Sequence, residues 1–275
     1  MLKIVLAAAL AGSLALLAAI NAHRLGGQYI LRDGDHQDVM VADPAAVPTR
    51  IVRVLFVGNS FTFVNDLPAM VVNLAASDAG NRVRLEVKAM TFPGAHLNEL
   101  LQQSDVLAWV RAHRIDYVVL QEQSGWYQSP EQVENTAVSL SKWLDELRTR
   151  NESPLLFEVW SDATGSDIYT DQGYSTFGST PEAEAERISE RTQELSRRFA
   201  IPIVPVGAVF ERARHTSGAP ELLGPDHHHA SVAGTYLAAL VFYRALTGRT
   251  GAEAGYRPWG MTKADAKILS AINAE

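Results

Sequence analysis

The sequence predicts an α/β domain in which a parallel β-sheet has helices on both faces. From Ile51 onward, short apolar runs rich in β-branched residues alternate with longer amphipathic stretches, which is the order of β–α–β units. The chain has 275 residues, enough for one large domain with a buried core. Hydrophobic residues make up 47% of the sequence and charged residues 20%, as in ordinary globular domains.

Five short apolar runs predict the strands of this sheet. The first run, residues 51–57, reads IVRVLFV and is rich in valine and isoleucine. The other four runs cover residues 82–90, 115–120, 155–160 and 201–206. Parallel sheets bind ligands beyond the carboxyl ends of their strands, so functional residues are expected directly after these runs.

Helices are predicted between and after the strands. They cover residues 67–79, 97–113, 130–150, 181–199 and 232–246, with a final helix after Thr262. Ser129, Pro130 and Gln132 form a capping-box pattern at the start of the third helix. Gly248 is expected to end the helix over 232–246, which is apolar enough to be buried.

The first 22 residues predict an export signal. Lys3 is followed by an uncharged apolar run over residues 4–20, and small residues follow near Ala22. The alternative is an uncleaved membrane anchor, although the 17 apolar residues fall short of the roughly 20 that span a bilayer. The protein is therefore expected to be exported, periplasmic or secreted, and to touch a membrane only through residues 4–20 if they are retained.

Residues 23–49 are polar and contain several glycines and prolines, so they predict a linker or surface arm. The catalytic domain is then expected to cover residues 50–275. The formal net charge of −7 argues against a nucleic-acid partner. The absence of cysteine excludes disulfides, thiolate metal sites and cysteine nucleophiles.

Ser60 is the candidate nucleophile. It follows the first predicted strand in the segment Gly58-Asn59-Ser60, where the glycine permits a sharp turn. A hydroxyl at the carboxyl end of a strand can approach a substrate carbonyl, but it needs a base that is oriented by a carboxylate. The alternative interpretation is that Ser60 merely caps the following helix.

Asp226 and His229 are the candidate partners of Ser60. They lie three residues apart in a loop before the buried helix, so the carboxylate can hold one ring nitrogen while the other accepts the serine proton. The neighbouring His227 and His228 invite a metal-site interpretation. Adjacent residues of an extended loop point in different directions, and no HExxH pattern is present, so the sequence favours solvated or packing roles for both.

Three segments carry a resemblance to a known family. Residues 54–60 read VLFVGNS, residues 92–94 read FPG and residues 226–231 read DHHHAS. With these segments the chain resembles the SGNH (GDSL) hydrolase superfamily, particularly its bacterial branch with a Gly-Asn-Ser-Phe start. The resemblance implies a three-layer α/β/α sandwich with a flavodoxin-like five-stranded parallel sheet.

The same resemblance implies roles for the site residues. Ser60 would be the nucleophile, His229 the base and Asp226 the residue that orients the base. The backbone amides of Ser60 and Gly94 would contribute to the oxyanion hole, which receives the negative charge of the tetrahedral intermediate. The reaction would be acyl transfer to water, and it would require neither a metal nor an organic cofactor.

The third family block departs from the usual pattern. Relatives have a G-x-N-D segment whose asparagine completes the oxyanion hole, whereas residues 121–124 here read QEQS. Gln123 occupies the register of the asparagine and carries the same carboxamide donor on one more methylene. Gln121 is the alternative donor. A further alternative is that both glutamines are only polar residues at a strand end.

Two tryptophans are candidate substrate-binding residues, because Trp126 and Trp160 follow predicted strands and aromatic faces stack on sugar rings. Trp160 has an alternative interpretation as a core or rim residue. The leading hypothesis is a serine esterase that removes short acyl groups, such as acetyl, from a carbohydrate or a similar small-molecule ester. An acyltransferase that uses the same triad on a glycan, and a non-catalytic glycan-binding module on a degenerate hydrolase fold, are the alternatives.

Overall fold

The structure, a computed structural model, describes residues 40–41, 47–148, 150, 152–169 and 180–275. The predicted signal or anchor over residues 1–22 and most of the predicted arm lie outside these residues. Within the described part the sheet has six strands in the order β1–β3–β2–β4–β5–β6. They are β1 Met40–Val41, β2 Arg50–Gly58, β3 Val83–Thr91, β4 Tyr117–Leu120, β5 Ser153–Phe157 and β6 Ile203–Val204.

Strands β2 to β6 are all parallel, which confirms the predicted five-stranded parallel sheet. The short β1 is antiparallel to β3, with Met40 opposite Val87 and Val41 opposite Glu86. Two residues of the segment predicted as an arm therefore belong to the sheet. The last strand is shorter than predicted, because Pro205 follows it and a proline has no N–H to donate to a neighbouring strand.

The strand order creates the site for a ligand. From β2 the chain crosses to β3 on one side of the sheet and then returns to β4 on the other side. Such a reversal opens a crevice at the carboxyl ends of the two central strands, where open α/β sheets bind their ligands. The end of β2 at Gly58 and the end of β4 at Leu120 lie at this crevice.

Nine α-helices surround the sheet within the described residues. They are α1 Ser60–Phe63, α2 Leu67–Ser77, α3 Leu97–Gln102, α4 Ser104–Ala112, α5 Pro130–Arg148, α6 Pro181–Phe199, α7 Val206–Arg214, α8 Val232–Thr247 and α9 Lys263–Ala274. The helix predicted over 97–113 is two helices, because Gln103 adopts an extended conformation with φ −77° and ψ 108°. Capping at Ser129, Thr180 and Thr262 agrees with the predicted helix starts.

Both faces of the sheet are covered. Consecutive β2 residues Leu55, Phe56 and Val57 are fully buried, although their side chains point alternately to opposite faces. On one face α8 packs against α2, and the ring of Phe242 lies 5.0 Å from that of Phe56. Helices α3 and α5 also pack against each other, and at this contact Trp143 Nε1 donates to the Leu97 carbonyl at 3.1 Å. None of the helices described by the structure combines the length and apolarity that a bilayer crossing requires.

Candidate active site

The end of β2 presents Ser60 at the crevice. Asn59 caps the short helix α1, its Oδ1 accepting a hydrogen bond from the Phe61 amide at 3.1 Å, and Ser60 is the first residue of that helix. Gly58 is required here, because a Cβ at this position would lie only 2.4 Å from Gln121 Oε1. The hydroxyl of Ser60 is partly exposed and makes no hydrogen bond to any residue in the described part of the chain.

Asp226 and His229 form the predicted pair in the loop before α8. His229 Nδ1 lies 2.7 Å from Asp226 Oδ2, and Asp226 Oδ1 accepts the backbone amides of His228 at 3.1 Å and His229 at 3.0 Å. Partial burial raises the pKa of Asp226, but these hydrogen bonds outweigh it and hold the pKa below its ordinary value. An ionised Asp226 accepts a hydrogen bond from the Nδ1–H group of His229, so Nε2 of the ring is left without a proton and can act as a base.

The fold brings this loop to the nucleophile turn. The ring of His229 lies 6.0 Å from the ring of Phe61, the residue next to Ser60, in an edge-to-face arrangement. His229 Nε2 is buried and has no hydrogen-bond partner among the described residues. His229 Nε2 and the Ser60 hydroxyl are not hydrogen-bonded to each other in the structure, and catalytic hydrogen bonds of this kind commonly tighten only when substrate binds.

Two unpaired backbone amides lie at the same end of β2. Gly94 is exposed and has φ +64°, a left-handed conformation that favours glycine. Its loop is tied to the nucleophile turn, since the Phe92 amide donates to the Gly58 carbonyl and Asn59 Nδ2 donates to the Ala95 carbonyl at 3.0 Å. Neither the Gly94 amide nor the Ser60 amide donates a hydrogen bond to a described residue. Both amides are therefore free to donate to an oxyanion, which the donors of an oxyanion hole must be able to do.

Gln121 supports the nucleophile turn and does not face the substrate. Its Oε1 accepts from the Asn59 amide at 2.8 Å and from Thr62 Oγ1 at 3.0 Å. Its Nε2 donates to Asn59 Oδ1 at 2.9 Å and to the Glu122 carbonyl at 2.8 Å. Both amide hydrogens are used and the side chain is fully buried, so the alternative assignment of Gln121 as an oxyanion donor is wrong.

Gln123 remains available for that role. It is partly exposed, and its carboxamide makes no hydrogen bond to a residue that the structure describes. Its backbone amide donates to Glu122 Oε1 at 2.8 Å, which fixes the start of the 3-10 turn Ser124–Tyr127. The assignment of Gln123 as the third donor of the oxyanion hole therefore stays a prediction.

The two tryptophans have different surroundings. Trp160 is buried between two rings, stacked on Phe61 at 4.4 Å and on Phe210 at 4.7 Å, so both of its faces are covered. The prediction that Trp160 stacks on a sugar is wrong, and its alternative interpretation as a core residue is correct. Trp126 is partly exposed beside the His96 ring at 4.1 Å, so its role in substrate binding stays a prediction.

Two further residues of this region were missed in the sequence. His228, interpreted as a solvated or packing residue, has its Nδ1 2.7 Å from Oδ1 of the buried Asp162. The only sequence signal for Asp162 is its place shortly after the fourth apolar run. No group of three or more histidine, aspartate or glutamate side chains in the described residues is arranged to hold a metal ion.

Known structures with this architecture were found by comparison. No protein-family model matches the sequence, and no curated protein matches it. A DUF4886 family protein from Bacteroides uniformis aligns with a TM-score of 0.67 at 17% identity, over 81% of this chain and 93% of that chain. A protein from Slackia heliotrinireducens assigned to the SGNH hydrolases aligns with a TM-score of 0.58 at 26% identity, over 70% and 98%.

An acetylxylan esterase from Geobacillus stearothermophilus aligns with a TM-score of 0.52 at 17% identity, over 77% of this chain and 96% of that chain. In this chain the fold consists of the five-stranded parallel sheet and the helices that surround it. These likenesses agree with the resemblance that the three sequence segments indicate. The chain has the α/β fold of the SGNH hydrolases.

Proposed function

We propose that this protein is a serine esterase that hydrolyses carboxylic esters with Ser60, His229 and Asp226. The proposal rests on the hydrogen bonding of the two ring nitrogens of His229. Its Nδ1 is held by Asp226 at 2.7 Å, while its Nε2 is buried and unpartnered among the described residues, next to the nucleophile turn. A buried nitrogen without a partner costs free energy, and a base that waits for a serine proton accounts for that cost.

The reaction follows from these positions. Ser60 Oγ attacks the ester carbonyl while His229 Nε2 takes its proton, and ionised Asp226 stabilises the imidazolium that forms. The amides of Ser60 and Gly94, with the Gln123 carboxamide, receive the oxyanion. His229 then protonates the departing alcohol as the ester C–O bond breaks. Water attacks the acyl-serine with His229 again as base, which releases the acid and restores Ser60.

The preferred substrate is a short acyl ester, such as acetyl, on a carbohydrate. An acetylxylan esterase among the similar structures supports this class. Trp126 and His96 form a partly exposed aromatic pair beside the Gly94 loop, where a sugar ring can stack. The signal predicted over residues 1–22 supports an exported enzyme that meets such esters outside the cytoplasm.

The test uses Ser60→Ala with p-nitrophenyl acetate as substrate. We expect kcat/KM to fall by about 1,000-fold or more, because the covalent step loses its nucleophile. Ser104→Ala, at an exposed serine on α4, is the matched control and should keep wild-type turnover. A fluorophosphonate should label the wild-type protein and not Ser60→Ala. Unchanged turnover in Ser60→Ala, or a folded wild-type protein that is not labelled, would refute the proposal.

A further inference from the structure

His228 belongs to a second carboxylate–imidazole pair beside the proposed catalytic pair. Its Nδ1 lies 2.7 Å from Asp162 Oδ1, and its ring is edge-on to the His229 ring with centroids 4.7 Å apart. The His228 ring also lies 4.8 Å from the ring of Phe61, next to the nucleophile. The acid–base loop, residues 224–229, thus carries two oriented imidazoles that are held by two different carboxylates.

Asp162 is fixed by its own contacts. Its Oδ2 accepts the Ser166 hydroxyl at 2.5 Å, and its backbone amide donates to Glu184 Oε2 at 2.9 Å. Glu184 lies on α6 and also accepts the hydroxyl of Tyr169 at 2.6 Å. The carboxylate that receives His228 is therefore part of a rigid network between the end of β5 and α6.

The charges around His228 favour its protonated form. Burial lowers the pKa of His228, but the hydrogen bond to Asp162 and the negative charges of Asp162, Asp226 and Glu184 outweigh it, so the pKa is raised. The guanidinium of Arg214 faces this network from α7, where it donates to the Ser161 carbonyl. When protonated, His228 donates from Nδ1 to the buried carboxylate of Asp162, while its own side chain is partly exposed.

The acid–base loop needs external anchors. His227 has φ 58°, a left-handed conformation that costs a non-glycine residue about 1–2 kcal/mol. Three contacts hold the loop there: the Ala163 amide donates to the His227 carbonyl at 2.8 Å, Trp160 Nε1 donates to the His228 carbonyl at 3.0 Å, and Asp162 binds the His228 ring. All three come from the segment that follows β5.

Among the described residues, the hydrogen bonds of Asp226 and His229 all stay within the acid–base loop. Asp226 has a half-exposed side chain, and its contacts are with His228 and His229 in the same loop. The pair therefore moves with the loop. We propose that His228, bound to Asp162, is a positioning residue that locks the acid–base loop against the end of β5 and so keeps His229 Nε2 directed at the nucleophile turn. This inference rests on the proposed esterase function.

The test compares His228→Leu with His228→Asn, whose side-chain N–H can still donate to Asp162. We expect His228→Leu to lower kcat for p-nitrophenyl acetate about 10- to 100-fold with KM within about twofold, as a small displacement of a catalytic group does. His228→Asn should restore kcat to within about fivefold of wild type. His215→Leu is the matched control, because His215 is an exposed histidine directly after α7, and it should keep wild-type kcat.

Amide hydrogen exchange provides a measurement that does not depend on turnover. We expect His228→Leu to speed exchange at the His228 and His229 amides more than tenfold, with α8 unchanged. If His228→Leu does not fold, His228→Ala takes its place. Unchanged exchange, an unchanged kcat, or a rise in KM alone would overturn the positioning role. Absence of wild-type turnover would instead refute the esterase proposal, and the exchange rates would then decide alone whether His228 anchors the loop.

Discussion

Residues 224–229 carry the imidazoles of two carboxylate–imidazole pairs, which share one contact distance and differ in the exposure of the carboxylate. In each pair the ring Nδ1 lies 2.7 Å from a carboxylate oxygen. The Asp226 side chain is 52% exposed, whereas that of Asp162 is 2% exposed. Asp226 precedes its histidine by three residues, whereas Asp162 comes from the segment after β5.

The difference in carboxylate exposure indicates that the two pairs have different roles, one catalytic and one structural. A solvated carboxylate stays ionised and can stabilise an imidazolium that forms and disappears during each turnover, but it adds little to stability. A buried pair is costly to break, because removal of one partner leaves an uncompensated charge. The pair with the exposed carboxylate is therefore suited to chemistry, and the pair with the buried carboxylate is suited to holding the loop.

Asp226→Asn should cause the largest loss of activity. Without the carboxylate, the favoured ring tautomer of His229 no longer presents a free Nε2, so we expect kcat to fall about 1,000- to 10,000-fold, with Tm within about 2 °C of wild type. The measurements are p-nitrophenyl acetate turnover and thermal unfolding. Asp145→Asn, at an exposed residue of α5, is the control. A variant that keeps more than a tenth of wild-type kcat would contradict the catalytic role of the exposed pair.

Asp162→Ala should cause the largest loss of stability. It leaves His228 without its partner and Ser166 without its acceptor, so we expect the free energy of unfolding to fall by about 3–5 kcal/mol. Urea denaturation of this variant beside Asp226→Asn gives the comparison directly. Equal stability losses in the two variants would remove the distinction between a buried and an exposed pair.

Gly94→Ala separates chemistry from backbone strain. A Cβ at Gly94 meets no atom within 4 Å, and the same is true of Gly260, which also has a positive φ. Both substitutions should therefore cost about 1–2 kcal/mol of stability through the left-handed conformation. Only Gly94→Ala should also lower kcat/KM, by about 10- to 100-fold, because its amide shifts in the oxyanion hole. Equal activity of the two variants would argue against this amide as a donor.

The pH dependence of stability should differ in sign between the two regions. Burial raises the pKa of Glu184, beside Asp162, to about 7. The folded protein then binds more protons than the unfolded chain between pH about 4.5 and about 7, so this group lowers stability as pH rises through that window. The lowered pKa of Asp226 changes stability in the opposite direction. The ionised carboxylate stabilises the folded protein above the pKa that Asp226 has in the unfolded chain, and this stabilisation is lost as pH falls through the lower pKa of the folded state.

The Glu184→Gln variant isolates the contribution of the buried Glu184 carboxyl to the pH dependence of stability. Glutamine can still accept one hydrogen bond through its oxygen but cannot ionise. We expect the free energy of unfolding of this variant to decline less than that of wild type between pH 5 and 8, as measured by urea denaturation at each pH. If the free energy of unfolding changed with pH in the same way for both proteins, burial of Glu184 would not be the cause of the decline between pH 5 and 8.

Much of the fold and the local part of the site were predictable from the sequence. The five apolar runs are the five parallel strands, although the strand ends differ from the predicted ones by a few residues. The contact between Asp226 and His229 was predicted from their spacing alone. The roles suggested for Gln121 and Trp160 were wrong, and the carboxylate partner of His228 was not predicted, because the sequence does not reveal which polar groups face each other across the fold or which aromatic faces are covered.

The alternation of strands and helices, the turn after β2 and the pairing of Asp226 with His229 could be predicted from the sequence, because each depends on residues within a few positions of one another. The contacts of His228 with Asp162, of Gln121 with Asn59 and of His229 with Phe61 depend on the tertiary structure. These contacts join segments tens of residues or more apart. They exist only after the strand order has brought the carboxyl ends of the strands to one edge, and the order of strands is a property of the whole sheet.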